Sequence, residues 1–116
     1  MEPPREGTRK PGGVALEPSL NRTICAICGD YARRREYVAT HADECAEHYA
    51  AVNTAIDGAI AEAMPEYDGA AREAMREDIG TRRGATYTPL YQMSAATYKR
   101  LKRRVKTAIA RALGYA

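Results

Sequence analysis

CAICGDYARRREYVATHADECAEH, residues 25–48, is the stretch whose reading decides the fold. It contains two pairs of metal-binding side chains, each separated by two residues: Cys25 with Cys28, and Cys45 with His48. Zinc(II) favours thiolate sulfur and imidazole nitrogen, and a closed set of four makes a structural site. The spacing predicts one structural zinc ion held by Cys25, Cys28, Cys45 and His48. Gly29 follows Cys28, where a chain turning back around a metal favours positive φ. Cys45 and His48, three residues apart, fall on one face of a helix. Thr40-His-Ala-Asp43 reads as a capping box just ahead of them. His41 is the rival fourth ligand, set back in the approach to the helix. Free or redox-active thiols are the competing reading of the cysteines. Three of them cannot all pair within one chain, and no secretory segment points to an oxidising compartment.

A Cys-x2-Cys-Gly knuckle, a short hairpin and then Cys-x2-His at a helix start resembles a treble-clef zinc finger. The resemblance covers Cys25 to about Met64. It implies a β-hairpin over Tyr31–Thr40, with Tyr31-Ala-Arg and Glu36-Tyr-Val-Ala as its strands and Arg34-Arg35 near its tip. The expected fold is therefore small and mainly α: a zinc knuckle and a short hairpin lead into a helix, and two further helices follow. Treble clefs serve nucleic-acid binders, nucleases and docking modules alike, so the resemblance names no activity.

Outside this stretch the chain divides simply. Residues 1–22 read as a flexible basic arm and linker, with the Pro, Gly and charge content of disorder over the first thirteen. Residues 23–64 form the finger and its long helix. Residues 65–116 form a helical extension. Tyr49, Val52, Ile56, Ile60 and Met64 recur at helical spacing, so a helix is predicted over Glu44–Met64, stopped by Pro65. Ala71, Met75 and Ile79 mark a second helix over Asp68–Ile79, with Gly80 as its C-cap. Thr81–Met93 reads as a loop. Ser94 caps a third helix to Leu113, striped by Tyr98, Leu101, Val105, Ile109 and Leu113. The chain has no Phe and no Trp. Such a core buries little area, and a structural zinc would supply much of the folding free energy.

Charge is segregated along the chain. Residues 36–79 hold eleven acidic and two basic side chains, whereas residues 80–116 hold nine basic and no acidic ones. Lys99, Arg100, Lys102, Arg103, Arg104, Lys106 and Arg111 surround the polar faces of the last helix. With Arg33, Arg34 and Arg35 they form the electrostatic footprint of a nucleic-acid binder. The rival account is that the basic helix is neutralised by the acidic segment, and a formal net charge of only +3 favours it. Leu90–Val105 also resembles the second half of a helix-turn-helix, with Thr97, Lys99 and Arg100 toward the groove. Pro89 interrupts its first helix.

No nucleophile–base set or phosphate-cradling glycine loop is present, and a zinc ion with four protein ligands has no open position. The expected protein is a non-enzymatic zinc-binding one with no small-molecule substrate, an accessory of a larger nucleoprotein assembly. The alternative is a zinc-stabilised adaptor, such as a phage-type structural or host-takeover subunit, that touches only protein. No apolar run approaches the ~20 residues of a membrane span. With no leader-like segment, a cytoplasmic location is expected.

Overall fold

A computed structural model of the chain describes residues 16–84, 90 and 92–115. Its helices are α1 (Pro18–Gly29), α2 (Tyr31–Thr40), α3 (Glu44–Ala63), α4 (Gly69–Thr81) and α5 (Ala95–Ala112). There is no strand among the described residues. The treble-clef expectation is thereby corrected: the knuckle is the last turns of α1, and the hairpin is α2. The physical reasons are local. Leu20, Ile24 and Cys28 recur every fourth residue, which is the stripe of a helix rather than a metal turn. A two-residue hairpin turn favours Asn-Gly or a similar pair, and Arg34-Arg35 offers no residue suited to positive φ. The linker expected up to residue 22 is likewise mostly helix. Glu17 caps α1 by accepting the Leu20 N–H at 3.1 Å, and Pro18 begins it, where a missing N–H costs nothing.

The later helices follow the hydrophobic pattern closely. Asp43 caps α3 by accepting the Ala46 N–H, Asp68 caps α4 at Ala71, and Ser94 caps α5 at Thr97. Ile56, Ile60 and Met64 of the α3 stripe are buried, as are Ala71, Met75 and Ile79 of α4 and Leu101, Val105 and Ile109 of α5. The arm over residues 1–13, and residues 85–89 and 91 of the segment between α4 and α5, lie outside the described residues.

The helices pair as α1 with α4 and α3 with α5, and α2 folds back along α3. The α1–α4 crossing is unusually close. A Cβ built on Gly80 would stand 2.8 Å from the Gly29 nitrogen and 2.9 Å from its Cα. Gly80 is therefore not a helix cap. It lets two backbones touch, and the left-handed residue that ends α4 is Arg82, at φ 61°.

α2 is held by a buried polar group. Arg34 is only 5% exposed. It donates through Nε to Asn53 Oδ1 at 2.7 Å and through Nη2 to the Ile27 carbonyl at 2.6 Å. Asn53 in turn donates to the Tyr31 carbonyl at 3.1 Å, and the Tyr31 hydroxyl donates to Asp57 at 2.8 Å. One guanidinium thus closes the carbonyl end of α1 and fixes α2 on α3, satisfying groups that burial would otherwise leave unpaired.

Candidate nucleic-acid interface

α5 has a core face and a basic face. Leu101, Val105 and Ile109 are buried against α3 and its neighbours. At 100° per residue, the cations then fall on two flanks of the remaining surface. Lys99, Lys102, Arg103 and Lys106 lie on the flank toward the start of α1, and Arg100, Arg104 and Arg111 on the other.

The first flank forms one side of a cleft of about 430 Å³, whose other side is Leu16, Pro18 and Asn21. Lys102 and Lys106 have partners among the described residues. Lys102 pairs with Asp78 at 3.0 Å. Lys106 donates to Asn21 Oδ1 at 2.8 Å, and burial pushes the Lys106 ammonium below the ordinary lysine range. The second flank borders a smaller depression of about 200 Å³ with Glu66, Tyr67 and Thr97. Lys99, Arg100 and Arg104 are exposed and make no ion pair among the described residues. Internal neutralisation by the acidic segment therefore reaches Lys102, and leaves these three untouched among the described residues.

Asp78 is the residue that the sequence reading missed. No single carboxylate of the acidic segment stands out in the sequence, yet Asp78 is 2% exposed. It accepts from the Tyr98 hydroxyl at 2.5 Å, the Gly84 N–H at 2.6 Å and Lys102 at 3.0 Å. It joins α4 to α5 and ties down the chain that leaves α4. Its position was readable: residue 78 follows Ala71 and Met75 at helical spacing, on the same inward face.

The arginines of α2 divide. Arg34 is withdrawn into the network described above. Arg33 is exposed, bonded to Asp30 at 3.3 Å and 5.5 Å from the centre of the Tyr49 ring. Arg35 is exposed and stands 5.4 Å from the centre of the Tyr31 ring, over which Arg76 stacks at 3.8 Å. Of the three, Arg34 has no surface to offer a phosphate.

The four expected zinc ligands are not brought together. Cys25 and Cys28 are buried on the core face of α1, while Cys45 and His48 lie exposed in the first turns of α3. No group of three or more His, Cys, Asp or Glu side chains among the described residues converges as a metal site. Burial and the neighbouring Cys25 push the Cys28 thiol up to about 12. Such a thiol behaves as a small apolar side chain. His41, the rival ligand, stacks on Tyr37 at 3.8 Å, with its Nδ1 at 2.8 Å from the Thr40 hydroxyl.

No described helix is long and apolar enough to cross a membrane. Set against protein-family models, curated proteins and solved structures, the chain finds no match.

Proposed function

We propose that this protein binds nucleic acid through the basic face of α5, as a non-enzymatic accessory of a larger nucleoprotein assembly. The observation that carries the proposal is the exposed, unpaired state of Lys99, Arg100 and Arg104 on a helix whose opposite face is core. A helix fixed in this way presents its cations on a rigid support, and no carboxylate on the helix itself offsets them. Cations on two flanks suit phosphate contacts better than base edges, which need a few side chains converging in one groove. The Lys102–Asp78 pair favours the second reading, a protein-docking adaptor.

Titration of labelled DNA and RNA across a salt series tests the proposal. Log affinity should fall with log salt, at a slope near −3.6 on duplex if about four phosphates are engaged. The double substitution Arg100→Glu, Arg104→Glu should weaken binding at least about tenfold. Both side chains are exposed, so its melting temperature should stay near wild type. A wild-type protein that binds no nucleic acid near physiological salt overturns the proposal in favour of the adaptor.

A further inference from the structure

We infer that the cleft between the start of α1 and α5 holds one unstacked nucleotide, which makes single-stranded nucleic acid the preferred ligand. This rests on the nucleic-acid reading above and names its substrate class. The cleft is lined by Leu16, Pro18, Asn21, Lys99, Lys102, Arg103 and Lys106.

Its chemistry has two halves. Four cations lie on the α5 side, and no carboxylate is among the described lining residues. Asp78, which pairs with Lys102, is buried behind it and already carries three hydrogen-bond donors. Lys106 is half-buried and faces a neutral amide oxygen, so its charge has no ion-pair partner among the described residues. Burying an ammonium beside a neutral acceptor is unfavourable, and its lowered pKa is the sign of that cost. A phosphate group supplies the missing charge. The α1 side, Leu16 and Pro18, is apolar and suits the face of a base or a sugar.

Size and shape select the strand. A cleft of about 430 Å³ lies within the range of small-ligand sites. Lys99 and Lys106 are seven residues apart, or ~10 Å along the helix. That length takes about two consecutive phosphates of one strand. A duplex keeps its bases stacked and offers the apolar wall nothing. A single strand gives both a backbone for the cations and a free base, the combination that strand binders use.

The test compares oligothymidylate, oligouridylate, the oligothymidylate–oligoadenylate duplex and thymidine monophosphate on the full chain. Single strands should bind about tenfold tighter than the duplex, with a salt slope near −1.4 for about two phosphates. Asn21→Asp places a carboxylate against Lys106 with almost no change of shape. It should cost single-strand affinity about tenfold or more and leave the melting temperature in place. Lys106→Gln provides a second variant with the same expected loss. Competition by the monophosphate would assign the cleft to a free or terminal nucleotide; strand binding without that competition would assign it to an internal one. A duplex bound as tightly as the strands overturns the inference, as does strand binding indifferent to both substitutions. Either result leaves the proposed nucleic-acid function standing, whereas absence of all binding removes that function itself.

Discussion

Asp78→Ala should unfold about 15 °C below the wild-type chain. Asp78 is 2% exposed and meets three donors from three places: Tyr98, Lys102 and the Gly84 amide. Removing it strands an ammonium whose side chain is 22% exposed, together with a phenol and an amide. Breaking a buried pair on one side costs ~3–5 kcal/mol. The partial exposure of Lys102 puts the expectation at the lower end, ~3 kcal/mol, and each kcal/mol moves the melting point of a domain this size by ~4–8 °C. Thermal unfolding followed by circular dichroism measures it. A shift under ~3 °C would mean that water replaces the carboxylate without loss.

The same residue sets a pH signature. Burial alone would raise the Asp78 carboxyl, but the bonds from Tyr98, Lys102 and Gly84 outweigh it and hold the group below the ordinary carboxylate range. Between the folded value and that range, the unfolded chain binds more protons than the folded one. The contribution is therefore complete above the ordinary carboxylate range and is lost as pH falls through the folded value. Tyr98 works in the opposite sense. Burial and the bond to Asp78 raise its phenol, so its contribution is complete below the ordinary tyrosine range and is lost as pH rises through the raised value. Asp78→Asn should flatten the acid limb of the stability–pH curve and weaken the alkaline one, whose larger cause, the burial of Tyr98, remains; a curve parallel to wild type would refute this assignment.

Gly80→Ala carries the second large effect, and here two principles predict opposite signs. Helix propensity alone makes the change stabilising by ~1 kcal/mol. Packing makes it destabilising, because the new methyl would sit 2.8 Å from a backbone nitrogen and 3.0 Å from the Cys28 carbonyl carbon. Backbone atoms cannot rotate away as a side chain can, so α1 and α4 must separate. Overpacking of this kind costs ~3 kcal/mol, and the clash outweighs the propensity. Gly58, within α3, is the control: a Cβ there meets nothing within 4 Å. Gly58→Ala should gain ~1 kcal/mol. If both alanines raised the melting temperature, the close crossing would be wrong.

α3, α4 and α5 were legible because each carries a strong stripe, such as Ile56, Ile60 and Met64. The caps were less so: Ser94 is the one read from sequence, whereas Asp43 rather than Thr40 caps α3, and Asp68 and Arg82 rather than Gly80 bound α4. α1 and α2 were not, because a ligand motif competed with a periodicity. In α1, the spacing of Cys25 and Cys28 satisfies both a metal turn and two adjacent inward positions of a helix. Leu20 and Ile24 upstream could have decided between them, since a knuckle needs no apolar stripe before it. α2 has a weak stripe, because besides Tyr31 in its first turn the residue it buries is Arg34, whose partners Asn53 and Ile27 are far off or around a corner in the sequence. A buried guanidinium is invisible to hydrophobic patterning. The α5 cations could be read from composition. The cleft could not, since Asn21 and Lys106 are separated by most of the chain.

The cysteines acquire a use from their placement. One, Cys45, stands on the surface, and two, Cys25 and Cys28, are inside α1's apolar face. A thiol-alkylating reagent should therefore add a single label to each native molecule and three to each denatured one. Intact mass then becomes a stopwatch for α1: the appearance of the second and third labels times how often that helix lifts from the core, molecule by molecule, without any engineered probe.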